Sequence, residues 1–134
     1  MILQIQNITK SYQNTEKVKL EVLRSLNIEI DINKISVIVG ASGAGKSTLL
    51  HIMGGLDRPD SGAVYFNEQN IFDLTDDKLA RFRNKNIGFV FQFHHLLPEF
   101  TAMENVSIPL MIMGESLSTA SKKAGELQLV NTPL

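Results

Sequence analysis

Residues 37–55, "VIVGASGAGKSTLLHIMGG", decide the fold of this chain. An almost continuous apolar segment, KISVIVG (34–40), leads into a glycine-rich loop, and apolar residues at helical spacing follow from Lys46 until a glycine pair stops them. The loop itself, GASGAGKS (40–47), fits G-x-x-x-x-G-K-[S/T] at every fixed position. The order of these elements predicts a buried strand, a phosphate-binding loop and a helix, which indicates an α/β fold.

Each residue type in the loop has a physical role in binding phosphate. Glycines reach backbone conformations closed to other residues, so successive N–H groups can turn towards phosphate oxygens. The N-terminus of the following helix adds its positive dipole. The lysine can reach the β- and γ-phosphates of a nucleotide, and the serine hydroxyl can bind Mg²⁺. The predicted nucleotide-binding residues of the loop are Gly40, Ser42, Gly43, Ala44, Gly45, Lys46, Ser47 and Thr48, with Ser47 also a metal ligand.

Composition narrows the class of protein. A chain of 134 residues suits a single domain with a real core. Thirteen basic and fourteen acidic residues give a net charge of −1, so bulk charge favours neither nucleic acid nor an anionic membrane surface. The absence of cysteine excludes disulfides and thiolate metal sites. With no signal-peptide pattern and no apolar run near the roughly 20 residues of a spanning helix, we expect a soluble protein.

The remaining strands are predicted from short apolar patterns. ILQIQNI (2–8) and LNIEIDI (26–32) alternate apolar and polar residues, as half-buried strands do. AVYF (63–66) predicts a short strand, and IGFVFQ (87–92) predicts another that is buried. We therefore expect antiparallel strands first, and then the strand and helices of a parallel core.

Helix boundaries after residue 70 are predicted from capping residues. Thr75 is expected to start one helix, and Thr101 with Glu104 predicts a capping box at the start of the next. Pro109 is expected to end or kink that helix, because proline has no N–H to donate. Ser118 is expected to cap a last helix.

Three segments together resemble the ATP-binding subunits of ABC transporters. ITKSYQ (8–13) resembles the family's opening strand, GASGAGKSTLLHIMGGLDRPDSG (40–62) its Walker A loop and helix, and IGFVFQ the strand before its glutamine loop. The resemblance implies that Tyr12 stacks on adenine, and a stacking role predicts that Tyr12→Phe preserves ATP affinity. It also implies that Gln92 is a Mg²⁺ ligand and senses the γ-phosphate, and that Lys46 and Gln92 serve ATP hydrolysis.

FQFHHLLPEFTAMENVSIPLMI (91–112) is similar to the ATPase subunits of bacterial lipoprotein-releasing systems. The resemblance implies a β subdomain and Walker A core over 1–92 and the start of a helical subdomain over 93–134. It further implies an ATPase homodimer that contacts membrane subunits through 93–113, on the cytoplasmic face of the bacterial inner membrane. Phe and Met residues in this region suit protein contacts. Two alternatives remain: a related exporter ATPase of the macrolide-efflux or cell-division type, and a module that binds nucleotide without hydrolysis.

Three motifs of the resembled family are missing from the sequence. The 134 residues contain no apolar strand ending in Asp-Glu, no Leu-Ser-Gly-Gly-Gln loop and no later catalytic histidine. We therefore expect a truncated ABC-ATPase domain with no ATPase activity of its own. The segments ISVIVG (35–40) and IGFVF (87–91) would then lack neighbouring strands. In a structure, these segments should either pair with other strands, for example those of a second copy, or remain unpaired.

Overall fold

The computed structural model of the chain describes residues 3–13, 18–93 and 95–130, except for the side chains of residues 128–130. Its strands are β1 (Leu3–Gln13), β2 (Lys19–Ile30), β3 (Ser61–Phe66) and β4 (Gln69–Asn70). Its helices are α1 (Lys46–Met53), a short 3-10 helix (Ile71–Asp73), α2 (Asp76–Asn86), α3 (Ala102–Ile112) and α4 (Leu117–Val130). The chain divides into two compact units, residues 1–80 and 81–134. The predicted boundary after residue 92 lies inside the second unit.

Within the described residues, the strands form one antiparallel sheet in the order β2-β1-β3-β4. The early strands predicted from alternation are confirmed, and the predicted strand AVYF is extended to Ser61–Phe66. Asn67 and Glu68 connect β3 to β4 with φ values of 45° and 69°. Two consecutive positive φ values are typical of the tight hairpin turn that matches the twist of the strands.

A bulge in β1 decides which of its side chains reach the core. Ile5 and Ile8 are both fully buried, although residues three apart on a regular strand point to opposite faces. The pairing register shifts between them, and Asn7 takes a positive φ of 50°. The irregularity turns both isoleucines to one side, where Leu23 of β2 and Val64 of β3 are buried as well.

Two predictions of buried strands were wrong. Residues 34–40 and 87–92 form no strand, and neither segment has a pairing partner among the described residues. Ile35 is 95% exposed and Val90 is fully exposed. A strand forms only where a neighbour accepts and donates its backbone hydrogen bonds, and an apolar pattern alone cannot supply one. Of the two outcomes expected from the sequence, the structure shows the second, in which both segments are left unpaired within the part of the chain that it describes.

The boundaries of α1 agree with the sequence. The helix begins at Lys46, and at its end the N–H groups of Gly54 and Gly55 donate to carbonyls of the last turn. Gly55 has a φ of 68°, the left-handed conformation that commonly ends a helix. Helix α2 follows Thr75 as predicted, and the Thr75 carbonyl accepts from the Leu79 N–H at 2.8 Å.

In the second unit one predicted cap is confirmed, while another predicted cap and a predicted helix end were wrong. The capping box of Thr101 and Glu104 is present at the start of α3. Pro109 does not end the helix, which continues to Ile112, and the Pro109 carbonyl accepts from the Met113 N–H at 3.2 Å. The alternative expectation, a kink at Pro109, stays a prediction. Ser116, one residue before α4, accepts from the Thr119 N–H, so it takes the capping position predicted for Ser118. None of the helices in the described part of the chain is long and apolar enough to cross a membrane.

Candidate functional site

The loop that precedes α1 takes a conformation that depends on glycine. Gly43 and Gly45 have φ values of 78° and 87°, which L-amino acids other than glycine adopt at a cost. Gly45 is the N-terminal cap of α1 and has no side chain with which to cap the helix. The backbone N–H groups of the first helical turn therefore have no capping side chain, and they carry the positive end of the helix dipole. This arrangement suits an anion.

Gly45 also permits a close approach between the loop and the sheet. A Cβ atom at Gly45 would lie 2.8 Å from Val22 Cγ1 and 2.9 Å from Leu23 Cδ2, both on β2. By contrast, a Cβ atom at Gly43 would have nothing within 4 Å among the described residues. The loop therefore rests directly on β2 at Gly45 and is open at Gly43.

The Lys46 ammonium lies against its own loop. Its Nζ donates to the carbonyl oxygens of Gly40 at 2.9 Å and Ala41 at 2.6 Å. An ammonium has three N–H donors, so one remains for another acceptor. The positive charge is thereby held within the same loop that presents the N-terminus of α1.

An open cavity of about 330 Å³ brings the loop together with Tyr12. Its size lies within the usual range for small-molecule sites. Three predicted site residues do not line this cavity. Gly40 and Ala44 belong to the loop but lie outside the lining, and Gln92 is exposed and belongs to the second unit. The lining residues are Tyr12, Val22, Ser42, Gly43, Gly45, Lys46, Ser47 and Thr48. Val22 was not predicted, because one valine in a strand carries no sequence signal of its own.

Tyr12 is held by two charged residues that were not predicted either. Its hydroxyl donates to Asp57 Oδ2 at 2.9 Å, and Lys10 Nζ donates to Asp57 Oδ1 at 2.8 Å. The Lys10 ammonium also lies over the Tyr12 ring, 5.3 Å from its centroid. The two hydrogen bonds to Asp57 join residues 45 and 47 positions apart, so no local pattern could have indicated them.

The ion pair shifts the pKa values of both partners. Burial would raise the pKa of the Asp57 carboxyl, but hydrogen bonds from Lys10 and Tyr12 outweigh burial and hold that pKa below its usual value. Burial would likewise lower the pKa of Lys10, but the hydrogen bond and the charge of Asp57 raise it. Both groups are therefore charged across the neutral range.

The loop fits magnesium only as part of a magnesium–nucleotide complex. Among the described residues, no group of three His, Asp or Glu side chains could hold a metal. Ser47 is exposed and lines the cavity beside Lys46. Since Mg²⁺ usually keeps several waters and takes one or two protein ligands together with phosphate oxygens, a single hydroxyl suffices here.

In the second unit, the Asn105 side chain fixes the loop before α3. It accepts from the Leu97 N–H at 2.8 Å and donates to the carbonyls of Leu97, Phe100 and Thr101 at 3.0–3.1 Å. Several large apolar side chains of this region remain exposed: Phe93, Leu96, Leu97, Phe100, Met111, Ile112 and Met113. Asn105 was not predicted, since an asparagine inside a helical pattern usually faces solvent.

Comparisons with known proteins identify relatives of this chain. The sequence profile described as "ABC transporter" matches residues 23–134, a range that includes the loop and Gln92 but not Tyr12. The chain is 53% identical over 126 residues to the lipoprotein-releasing system ATP-binding protein LolD of Geobacter metallireducens. It is 49% identical over 126 residues to the protein of the same name from Bacteroides thetaiotaomicron. Each alignment covers 94% of this chain and 56% of the relative, so the chain spans about half the length of these curated relatives.

Solved structures resemble the fold as well. A dimeric ATP-binding cassette in a post-hydrolysis state, bound to ADP and Pi, matches with a TM-score of 0.84 and 39% identity. A dimeric bacterial ABC transporter cassette matches with a TM-score of 0.85 and the same identity. Each match covers 93% of this chain and 55% of the other.

Proposed function

The chain belongs to the ABC transporter family, and from that premise we propose that it binds MgATP as part of a transporter's ATP-binding subunit. The observation that carries the proposal is the cavity in which Tyr12 meets the glycine-rich loop and the start of α1. The lining of this cavity combines groups suited to phosphate with an aromatic ring on which a base can stack. A nucleoside triphosphate needs both.

Each residue of the loop has a role in the proposed complex. The backbone N–H groups from Gly43 to Thr48 bind phosphate oxygens, aided by the dipole of α1. Lys46 exchanges one or both of its bonds to the loop carbonyls for bonds to the β- and γ-phosphates. The Ser47 hydroxyl binds the Mg²⁺ of the nucleotide, and Tyr12 stacks on adenine.

For the complete subunit we propose ATP hydrolysis and head-to-tail pairing of two such subunits. Gln92 is assigned to Mg²⁺ and the γ-phosphate because it ends the IGFVFQ segment inside the family match. The pairing is supported by the matched cassettes, which are described as dimeric. Hydrolysis is assigned to the complete subunit, because the 134 residues contain no Asp-Glu strand end to complete the Mg²⁺ site and activate water.

We propose lipoprotein release as the transport function. The curated relatives carry that name, and the similarity extends through the segment after Gln92. Residues 93–113 would contact the membrane subunits, and the protein would then lie on the cytoplasmic face of the inner membrane. Exposed Phe93, Leu96 and Phe100, on a loop fixed by Asn105, support a surface for protein contact.

Nucleotide binding is tested by calorimetric titration of MgATP into the parent chain and Lys46→Ala. Because charge-assisted hydrogen bonds contribute roughly 1.5–3 kcal/mol, the substitution should lower affinity about ten- to a hundredfold. Lys34→Ala is the matched control, since Lys34 pairs with Asp31 on the surface at 2.6 Å and does not line the cavity. Equal affinity of Lys46→Ala and the parent would defeat the proposal.

A further inference from the structure

We propose that Asp57 and Lys10 are positioning residues that hold the Tyr12 ring in place for stacking with the nucleotide base. The inference rests on the proposed MgATP site and adds two residues to it. Neither residue lines the cavity, so each acts through Tyr12. The proposal also revises the expectation from the sequence that the Tyr12 hydroxyl is dispensable.

The Asp57 carboxylate uses both of its oxygens to connect the other two residues. Oδ2 accepts from the Tyr12 hydroxyl at 2.9 Å, while Oδ1 accepts from Lys10 Nζ at 2.8 Å. Tyr12 is 42% exposed and lies at the end of β1, where an unrestrained side chain would have several rotamers. Fixing the ring before the base arrives avoids the entropy cost of ordering it on binding.

Lys10 limits which face of the ring a base can use. It lies two residues before Tyr12 on β1, and both side chains contact the Asp57 carboxylate. Its ammonium lies over the ring at 5.3 Å from the centroid, a cation–π contact. The Lys10 side chain is only 11% exposed, and its Nζ also donates to the Arg58 carbonyl at 2.6 Å. The ring face opposite Lys10 is therefore the one left for a base.

Asp57 links the ring to the helix that carries the phosphate-binding loop. The backbone N–H groups of Leu56 and Asp57 both donate to the His51 carbonyl in the last turn of α1, at 2.8 and 3.3 Å. Helix α1 begins at Lys46 in the loop and has eight residues, which corresponds to about 12 Å. Because a helix of this length is rigid, Asp57 sets the position of Tyr12 relative to the loop.

The turn after α1 is fastened to β1 at a second point. Asp60 Oδ2 accepts from the Ser11 N–H at 2.8 Å, and the Asp60 N–H donates to the Thr9 carbonyl at 2.9 Å. These bonds hold the backbone on both sides of Lys10 and next to Tyr12. Removing the Asp57 carboxylate should therefore release the ring without detaching the turn.

The experiment compares two ligands that differ in having a base. MgATP and magnesium tripolyphosphate are titrated into the parent, Tyr12→Phe, Asp57→Ala and the double variant; alanine is used because an asparagine would keep an oxygen that can accept from the Tyr12 hydroxyl. Asp31→Ala is the matched control, because it removes an exposed ion pair with Lys34. One lost hydrogen bond predicts an ATP affinity about two- to tenfold lower in both single variants, with tripolyphosphate affinity unchanged. The double variant should lose no more than the weaker-binding single variant, since both changes break the same contact.

Each other outcome overturns a stated part of the proposal. Unchanged ATP affinity in Asp57→Ala, or fully additive losses in the double variant, would show that Asp57 does not act through Tyr12. Equal losses for ATP and tripolyphosphate would show that Asp57 only maintains the fold. If the parent bound MgATP no more tightly than magnesium tripolyphosphate, the base would contribute nothing to affinity. The positioning role would then be refuted, but the proposed phosphate site would not. If the parent bound neither ligand, the proposed function itself would fail, and this inference with it.

Discussion

Replacing Gly45 by alanine tests whether the phosphate-binding loop rests on β2 as described. The new methyl group would lie 2.8 Å from Val22 Cγ1, 2.9 Å from Leu23 Cδ2 and 3.2 Å from the Val22 carbonyl oxygen. It would also force a non-glycine residue to keep a φ of 87°. The left-handed conformation costs about 1–2 kcal/mol and overpacking about 1–3 kcal/mol. We therefore expect Gly45→Ala to lower the free energy of unfolding by about 2–5 kcal/mol, measured by urea denaturation.

Gly43→Ala is the matched control for that measurement. Gly43 has a similar φ of 78°, but nothing among the described residues lies within 4 Å of its Cβ position. Its substitution should therefore cost only the backbone term of about 1–2 kcal/mol. Equal destabilisation by the two substitutions would refute the close approach of the loop to β2. If Gly45→Ala does not fold, urea denaturation cannot be measured. The far-ultraviolet circular dichroism spectra of the two variants are then compared, and Gly43→Ala should show the spectrum of a folded protein where Gly45→Ala does not.

Two further predictions concern the second unit. Leu96→Asp in the complete subunit should abolish coupling to the membrane partner while leaving MgATP affinity nearly unchanged. Ile32→Asp, at an exposed apolar residue of the first unit, is the control. Loss of nucleotide binding together with coupling would show that Leu96 supports the fold instead of contacting a partner. The Thr101 backbone N–H, and then the Thr101 hydroxyl, lower the pKa of Glu104 from its ordinary value of 4.5. The charged Glu104 side chain should therefore stabilise α3 fully above pH 4.5, and this stabilisation should be lost as the pH falls through the folded-state pKa. Glu104→Gln should lack that acid dependence in a pH titration of helix content, and the same dependence in the variant would contradict the assignment.

Local patterns predicted the parts of the fold whose causes are local. The loop, the start of α1 and the capping box of α3 each depend on residues within a few positions of one another, and all three are present. The segments 34–40 and 87–92 were mistaken for strands, because an apolar pattern does not reveal whether a neighbouring strand exists. The bulge at Asn7 was missed for a related reason, since its register depends on β2 and β3.

The candidate site also combines residues that a local pattern predicts with residues that only tertiary packing brings together. Its glycine-rich loop could be predicted from the eight consecutive residues of the motif, whereas Tyr12 was indicated only through resemblance to a family. Val22, Lys10 and Asp57 were not indicated at all, because their roles arise when β1, β2 and the end of α1 come together. Contacts of that kind are decided by tertiary packing, which a single sequence does not display.

The most direct test of the central claim is to map the backbone amide and Tyr12 ring signals by NMR while MgATP is added. The account predicts the largest amide shifts at residues 43–48, at the loop and the start of α1, together with a shift of the Tyr12 ring resonances from base stacking. Tripolyphosphate should reproduce the amide shifts without moving the ring signals. Saturation with MgATP that leaves residues 43–48 unchanged, or that shifts only residues of the second unit, would contradict the account.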